Sequence, residues 1–134
     1  MADNEQIRVL VVDDEFPIRM SLEAFLRDYD FEVSSASSAE EALALLQETV
    51  FHAAVIDLRL PGMSGETLIL QAHEMFPHLG FIIHTGSSTY RLPIELKRIG
   101  ISSKHLFFKP MSDLVLMIEA IEDLVKREKK NDQR

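Results

Sequence analysis

Five polar residues stand directly after short apolar runs, and their types suit phosphoryl chemistry. Asp13 and Asp14 follow Val-Leu-Val-Val, and Asp57 follows Ala-Ala-Val-Ile. Carboxylate oxygens suit Mg²⁺, which takes one or two carboxylates together with waters and a phosphate oxygen. Asp57 can serve as the nucleophile that forms an aspartyl phosphate. Thr85 offers a hydroxyl donor to the same anion, and Lys109 offers a compact positive charge.

The runs that precede these residues have the length and composition of buried β-strands. We predict strands at 7–12, 31–34, 51–56, 81–84 and 105–108. Apolar residues at helical spacing predict intervening helices that begin near Pro17, after the cap Ser38, at Glu66 and near Thr89. Ser112 is the predicted cap of a last helix. The fourth helix, over 89–99, requires Pro93 to lie in its first turn.

This βα unit repeated five times predicts an α/β fold, a doubly wound, flavodoxin-like parallel sheet in strand order 2-1-3-4-5. Right-handed crossovers place all five carboxyl ends of the strands at one edge of the sheet. Strands 1 and 3 are then neighbours, so Asp13, Asp14 and Asp57 share one crevice. Like charges this close raise one another's pKa values and destabilise the fold unless a cation lies between them. No glycine-rich phosphate loop is present, which disfavours ATP or GTP as a direct donor.

Composition narrows the class of protein. The chain has 134 residues, a net charge of −8 and no cysteine. These values predict one domain over 1–125, followed by a charged tail or linker at 126–134. The acidic balance argues against nucleic-acid and anionic-membrane binding, and the lack of cysteine excludes disulfides and thiolate metal sites. With no leader-like or membrane-spanning segment in the sequence, a cytoplasmic location is expected.

The ordered motifs resemble the receiver domain of two-component response regulators, over roughly residues 7–125. They are the acidic pair, Asp57 running into Leu-Pro-Gly-Met-Ser-Gly at 60–65, then Thr85, then Lys109-Pro110. The resemblance implies that a sensor histidine kinase or a phosphotransfer protein donates a phosphoryl group to Asp57. It also implies Mg²⁺ held by the side chains of Asp13, Asp14 and Asp57 and by the backbone carbonyl of Arg59, and a cis Lys109–Pro110 bond.

On this resemblance the chain is a signalling protein rather than an enzyme. Phosphorylation is expected to draw Thr85 toward the phosphoryl group and to reshape the surface of helix 4, strand 5 and helix 5. A protein partner or a fused output domain would read that surface, and apolar residues outside the main stripe of the last helix leave a homodimer possible.

Two positions depart from the family, Gly86 after Thr85 and Leu106, and Leu106 leaves alternatives open. Leu106 stands three residues before the lysine, where the family usually has Tyr or Phe. A pseudo-receiver that only binds proteins is therefore the main alternative. A flavin-binding domain is disfavoured because Asp13 and Asp14 would repel a phosphate after strand 1. A hydrolase acting through an aspartyl phosphate would normally have an acid two residues after Asp57, where this chain has Arg59.

Overall fold

A parallel five-stranded sheet with helices on both faces makes up the fold, in the predicted order β2-β1-β3-β4-β5. The computed structural model describes residues 6–110 and 114–132, with side chains to residue 128. The α/β, flavodoxin-like architecture predicted from the sequence is confirmed. The elements are β1 Arg8–Val12, α1 Phe16–Asp28, β2 Glu32–Ala36, α2 Ala39–Glu48, β3 Ala53–Ile56, α3 Gly65–Met75, β4 Gly80–Thr85, α4 Ile94–Arg98, β5 Leu106–Phe108 and α5 Val115–Asp132.

The two faces of the sheet bury separate apolar layers. One layer joins β-strand side chains such as Leu10 and Ile56 to α2, α3 and α4, and the other joins Val11 and Val55 to α1 and α5. Alternate residues of a strand point to opposite faces, so each central strand contributes to both layers. Strands buried on both sides read as continuous apolar runs, which is why the sequence located β1 and β3.

Capping residues fix where the helices begin. The Ser38 hydroxyl accepts the backbone N–H of Glu41 at the start of α2, as the sequence predicted. The Ser64 hydroxyl accepts the N–H of Thr67 in the same way at the start of α3. Each bond satisfies an N–H group that the first turn of a helix would otherwise leave unpaired.

Helix α4 is much shorter than predicted. The sequence predicts a helix over 89–99, but the helix occupies only Ile94–Arg98, with Pro93 as its cap in an extended conformation. Residues 86–93 are therefore a loop that leads from the end of β4 to α4. Proline is well placed before a first turn, where its missing N–H removes no helical bond.

Strand and helix ends differ from the sequence predictions by a few residues. β3 begins at Ala53 rather than Phe51, β2 runs to Ala36, and His105 belongs to a short 3-10 turn before β5. Helix α5 continues to Asp132, past the predicted domain boundary at 125. The division into a domain and a tail stays a prediction, and the predicted cap Ser112 lies outside the described residues. No helix in the described ranges is long and apolar enough to cross a membrane.

Candidate functional site

Four carboxylates meet where β1 and β3 end. Asp13, Asp14, Glu15 and Asp57 each place one oxygen so that all four oxygens lie within 4.8 Å of one another. Val12 pairs with Ile56, so Asp13 and Asp57 are the next residues in that register. Both are almost fully buried, whereas Asp14 and Glu15 are exposed. The structure thus brings the three predicted aspartates together and adds Glu15, whose only signal in the sequence was its place as a third consecutive acid.

Lys109 lies among these carboxylates. Its Nζ is 2.8 Å from Asp13 Oδ2, 3.2 Å from Asp57 Oδ2 and 3.3 Å from Glu15 Oε1. The backbone holds it there, because the N–H of Lys109 donates to the Thr85 carbonyl at 2.8 Å. The Lys109–Pro110 bond is cis, as the resemblance implied. Burial by itself would lower the pKa of Lys109, but the hydrogen bond and charge of Asp13, with those of Asp57, outweigh burial and raise it. Lys109 is therefore a fixed positive charge.

The Asp57 carboxylate is held at both oxygens. Its Oδ1 accepts the backbone N–H of Arg59 at 3.2 Å, and its Oδ2 faces Lys109. Burial raises the pKa of Asp57, and this effect outweighs the Arg59 N–H and the charge of Lys109, which lower it. The local turn thus presents a buried, partly neutralised carboxylate at the end of the central strand.

The donor set fits a hard divalent cation. Among the described residues, four carboxylates face the single ammonium of Lys109, so the crevice carries excess negative charge even with Lys109 in place. Oxygen donors alone, some of them exposed to water, are what Mg²⁺ prefers in proteins. The side chains of Asp13, Asp14 and Asp57 are close enough to share one ion, while the Arg59 carbonyl as a ligand stays a prediction.

Thr85 ends β4, the strand next to β3. Its side chain is buried, and its Oγ1 accepts the backbone N–H of Ser87 at 3.2 Å. Because a threonine hydroxyl carries a single hydrogen, accepting this bond leaves that hydrogen free to be donated elsewhere. Thr85 lies at the same edge of the sheet as Lys109, as the sequence predicted, because its carbonyl accepts the N–H of Lys109. The loop that follows Thr85 contacts its hydroxyl through the N–H of Ser87.

His84 is a buried polar residue beside the site that the sequence did not single out. Ile56 pairs with Ile83, so His84 is the next residue opposite Asp57 in the register of β3 and β4. The side chain is 4% exposed, and neither ring nitrogen has a hydrogen-bond partner among the described residues. Burial, and next the charge of Lys109, lower the pKa of His84 to about 4. The imidazole is therefore neutral at physiological pH.

We expect His84 to make the fold sensitive to mild acid. Its pKa is about 4 when folded and near 6.5 when unfolded, so the unfolded chain binds an extra proton between these values. The free energy of unfolding should therefore fall as pH drops from 6.5 to 4, by up to about 3 kcal/mol from this residue. Urea unfolding at pH 7.5 and pH 5 measures this loss, and His84→Val should reduce it. His73→Gln, on α3, is the control. Equal losses in wild type and His84→Val would contradict the assignment.

The comparisons with known proteins decide the family. The family model for the response regulator receiver domain matches residues 9–122. The chain belongs to the response regulator receiver family. The solved structure of a CheY-like receiver domain protein from Methanospirillum hungatei superposes on this receiver domain with a TM-score of 0.84. The two chains are 28% identical over 95% of this chain and 99% of the other.

Two curated relatives of this receiver domain are named as transcriptional regulators. The alginate biosynthesis regulator AlgB of Pseudomonas aeruginosa is 31% identical over 92% of this chain, and FixJ of Rhizobium meliloti is 35% identical over 85% of it. The matches span 30% of AlgB and 54% of FixJ, so this receiver domain corresponds to only a part of each. Receiver domains are signalling modules that interact with histidine kinases or phosphotransfer proteins.

Proposed function

We propose that this receiver domain is a phosphorylation-dependent switch in which Asp57 accepts a phosphoryl group. The observation that carries the proposal is the placement of buried Asp57 against Lys109, with three further carboxylates at the same strand ends. A sensor histidine kinase or a phosphotransfer protein is the donor. An oxygen of Asp57 bonds to phosphorus as the bond from phosphorus to the donor's histidine nitrogen breaks.

Each residue of the site has a separate part in this reaction. The side chains of Asp13, Asp14 and Asp57, with the backbone carbonyl of Arg59, would hold Mg²⁺, and the ion would neutralise charge on the transferred oxygens. Lys109 pairs with a phosphoryl oxygen, close to where its Nζ now contacts Asp57 Oδ2. Thr85 donates its hydroxyl hydrogen to a phosphoryl oxygen. Positioned charges and donors of this kind supply most of the catalysis in phosphoryl transfer.

The output is a change of surface rather than a second reaction. The new charge at Asp57 draws Thr85 inward and shifts the face formed by α4, β5 and α5. Exposed apolar side chains already mark this face, among them Ile94, Phe108 and Leu116. A protein partner, a fused output domain or a second copy of the chain would bind there in the cytoplasm, without direct contact to nucleic acid or membrane.

A pseudo-receiver that binds proteins without being phosphorylated is the second candidate. Leu106 favours it, because this half-buried leucine packs against the core where receiver domains usually carry an aromatic ring. The complete set of Asp13, Asp57 and Lys109, drawn together by ion pairs, favours the phosphorylated switch. Phosphorylation itself separates the two candidates.

Intact-protein mass after incubation with acetyl phosphate and Mg²⁺ tests the proposal. We expect one added phosphoryl group in wild type and none in Asp57→Asn or without Mg²⁺. Asp57→Asn should remain folded, because a neutral amide of nearly the same shape is buried without the desolvation cost that raises the pKa of the Asp57 carboxyl. Asp28→Asn, at an exposed acid of α1, is the matched control and should be phosphorylated normally. No added mass in folded wild type would overturn the switch and favour the pseudo-receiver.

A further inference from the structure

A continuous series of hydrogen bonds connects helix α3 to the Thr85 hydroxyl. The Tyr90 hydroxyl donates to Glu66 Oε2 at 2.5 Å. The backbone N–H of Tyr90 donates to the Ser87 carbonyl at 3.2 Å, and the N–H of Ser87 donates to Thr85 Oγ1 at 3.2 Å. We name these four residues, Glu66, Tyr90, Ser87 and Thr85, the threonine relay. It fixes the loop that begins directly after Thr85.

The far end of the relay is anchored to the backbone that carries Asp57. Glu66 lies in the first turn of α3, directly after Gly65. The N–H of Gly65 donates to the Leu58 carbonyl at 3.0 Å, and a Cβ placed on Gly65 would lie 2.4 Å from the Asp57 carbonyl oxygen. The first turn of α3 therefore sits directly against Asp57. The relay therefore connects the backbone next to Asp57 to the hydroxyl of Thr85 on the neighbouring strand.

Tyr90 contributes both its hydroxyl and its ring to this part of the structure. The ring packs against the apolar layer on the α3 face of the sheet, and the residue is half-buried. Burial and the hydrogen bond to Glu66 raise the pKa of Tyr90, so the hydroxyl keeps its hydrogen and acts as the donor. Phenylalanine at this position would retain the packing of the ring and lose only the bond to Glu66.

The relay ends at the Thr85 hydroxyl. Because Thr85 Oγ1 accepts the N–H of Ser87, its own hydrogen does not lie along that bond and is available to another acceptor. A donor held in place before the reaction stabilises developing charge without the reorganisation that a mobile hydroxyl requires. Loosening residues 87–90 would let Thr85 rotate among its side-chain rotamers and lose this orientation.

We infer that Tyr90 and Glu66 are positioning residues, which hold Ser87 so that the Thr85 hydroxyl is oriented toward the phosphoryl group on Asp57. The inference rests on the proposed phosphorylation of Asp57. The contact between α3 and the loop after β4 acts on the reaction through Thr85. Neither Tyr90 nor Glu66 touches the phosphoryl group itself.

The test is the rate constant for phosphorylation by acetyl phosphate at saturating Mg²⁺. Tyr90→Phe and Glu66→Ala should each lower it by about three- to tenfold, the effect of losing one hydrogen bond of ordinary net strength. Glu66→Gln, which keeps an acceptor oxygen, should restore part of the rate. The affinity for Mg²⁺ should not change, because the aspartates that hold the ion are not altered. Tyr29→Phe, at the exposed tyrosine that follows α1, is the matched control.

Thr85→Ala supplies the decisive background. If Tyr90 acts through the Thr85 hydroxyl, Tyr90→Phe should have no further effect once that hydroxyl is absent, and the double variant Tyr90→Phe/Glu66→Ala should be no slower than either single variant. Equal rates for Tyr90→Phe and wild type, or a full additional loss in the Thr85→Ala background, would overturn the relay while wild-type phosphorylation still supported the switch. Absence of phosphorylation in wild type would instead overturn both.

Discussion

Lys109→Met is expected to lower the rate of phosphorylation of Asp57 by about 10²- to 10³-fold, the usual effect of removing one donor to a developing anion. The free energy of unfolding of the variant should also be lower by roughly 3 kcal/mol at neutral pH, because Asp13 and Asp57 then lack their buried partner. Loss of Lys109 removes a charge and a hydrogen bond that lower the pKa of Asp57. Protonation can therefore relieve the repulsion, and the loss of stability should shrink as pH falls.

The same variant should bind Mg²⁺ more tightly than wild type. Lys109 Nζ contacts Asp13 Oδ2 and Asp57 Oδ2, so it competes with a cation for the same oxygens. Titration calorimetry with Mg²⁺, urea unfolding and the phosphorylation rate measure the three effects. Lys97→Met, at an exposed lysine of α4, is the matched control. A Lys109→Met variant that binds Mg²⁺ more weakly would show that the lysine organises the carboxylates rather than competing for them.

Gly65→Ala is expected to damage both the fold and the site. The new Cβ would lie 2.4 Å from the Asp57 carbonyl oxygen and 2.7 Å from the Leu58 Cα. Both atoms belong to the backbone and cannot rotate away, so α3 or the end of β3 must shift. Such overpacking destabilises by about 1–3 kcal/mol, and this contact is closer than most. Urea unfolding should show a loss near the upper end of that range, and the phosphorylation rate should fall with it.

Gly86→Ala is the matched control for stability. A Cβ on Gly86 would have nothing within 4 Å, and this glycine has no unusual backbone angle. Its free energy of unfolding should stay within about 0.5 kcal/mol of wild type. A Gly65→Ala variant as stable as Gly86→Ala would contradict the close packing of α3 against Asp57.

The residues at the strand ends were predictable from the sequence because two simple regularities locate them. Buried parallel strands read as apolar runs, and right-handed crossovers place their carboxyl ends together. Asp13 and Asp57 follow from these rules without any knowledge of side-chain contacts. The sheet order and the overall fold follow from the same repetition of strand and helix, and the structure confirms both.

Contacts between residues distant in sequence were not predictable. The bond from Tyr90 to Glu66 depends on the length of the loop after β4. The helix predicted over 89–99 covers part of that loop, because Pro93 was expected in the first turn of the helix, whereas Pro93 is its cap. His84 continues an apolar run, so only the register of β3 and β4 reveals that it lies beside Asp57. The observed ends of helices and strands differ from the predicted ends because packing against the sheet overrides local propensity.

Chemical mapping of the modified residue shows whether Asp57 itself carries the phosphoryl group. Borohydride reduces an acyl phosphate to an alcohol, so an aspartyl phosphate becomes homoserine at the modified position. We would treat the protein with acetyl phosphate and Mg²⁺, reduce it, and sequence its peptides by mass spectrometry. We expect homoserine at position 57 and nowhere else. Homoserine at Asp13 or Asp14, or at no position, would contradict this expectation.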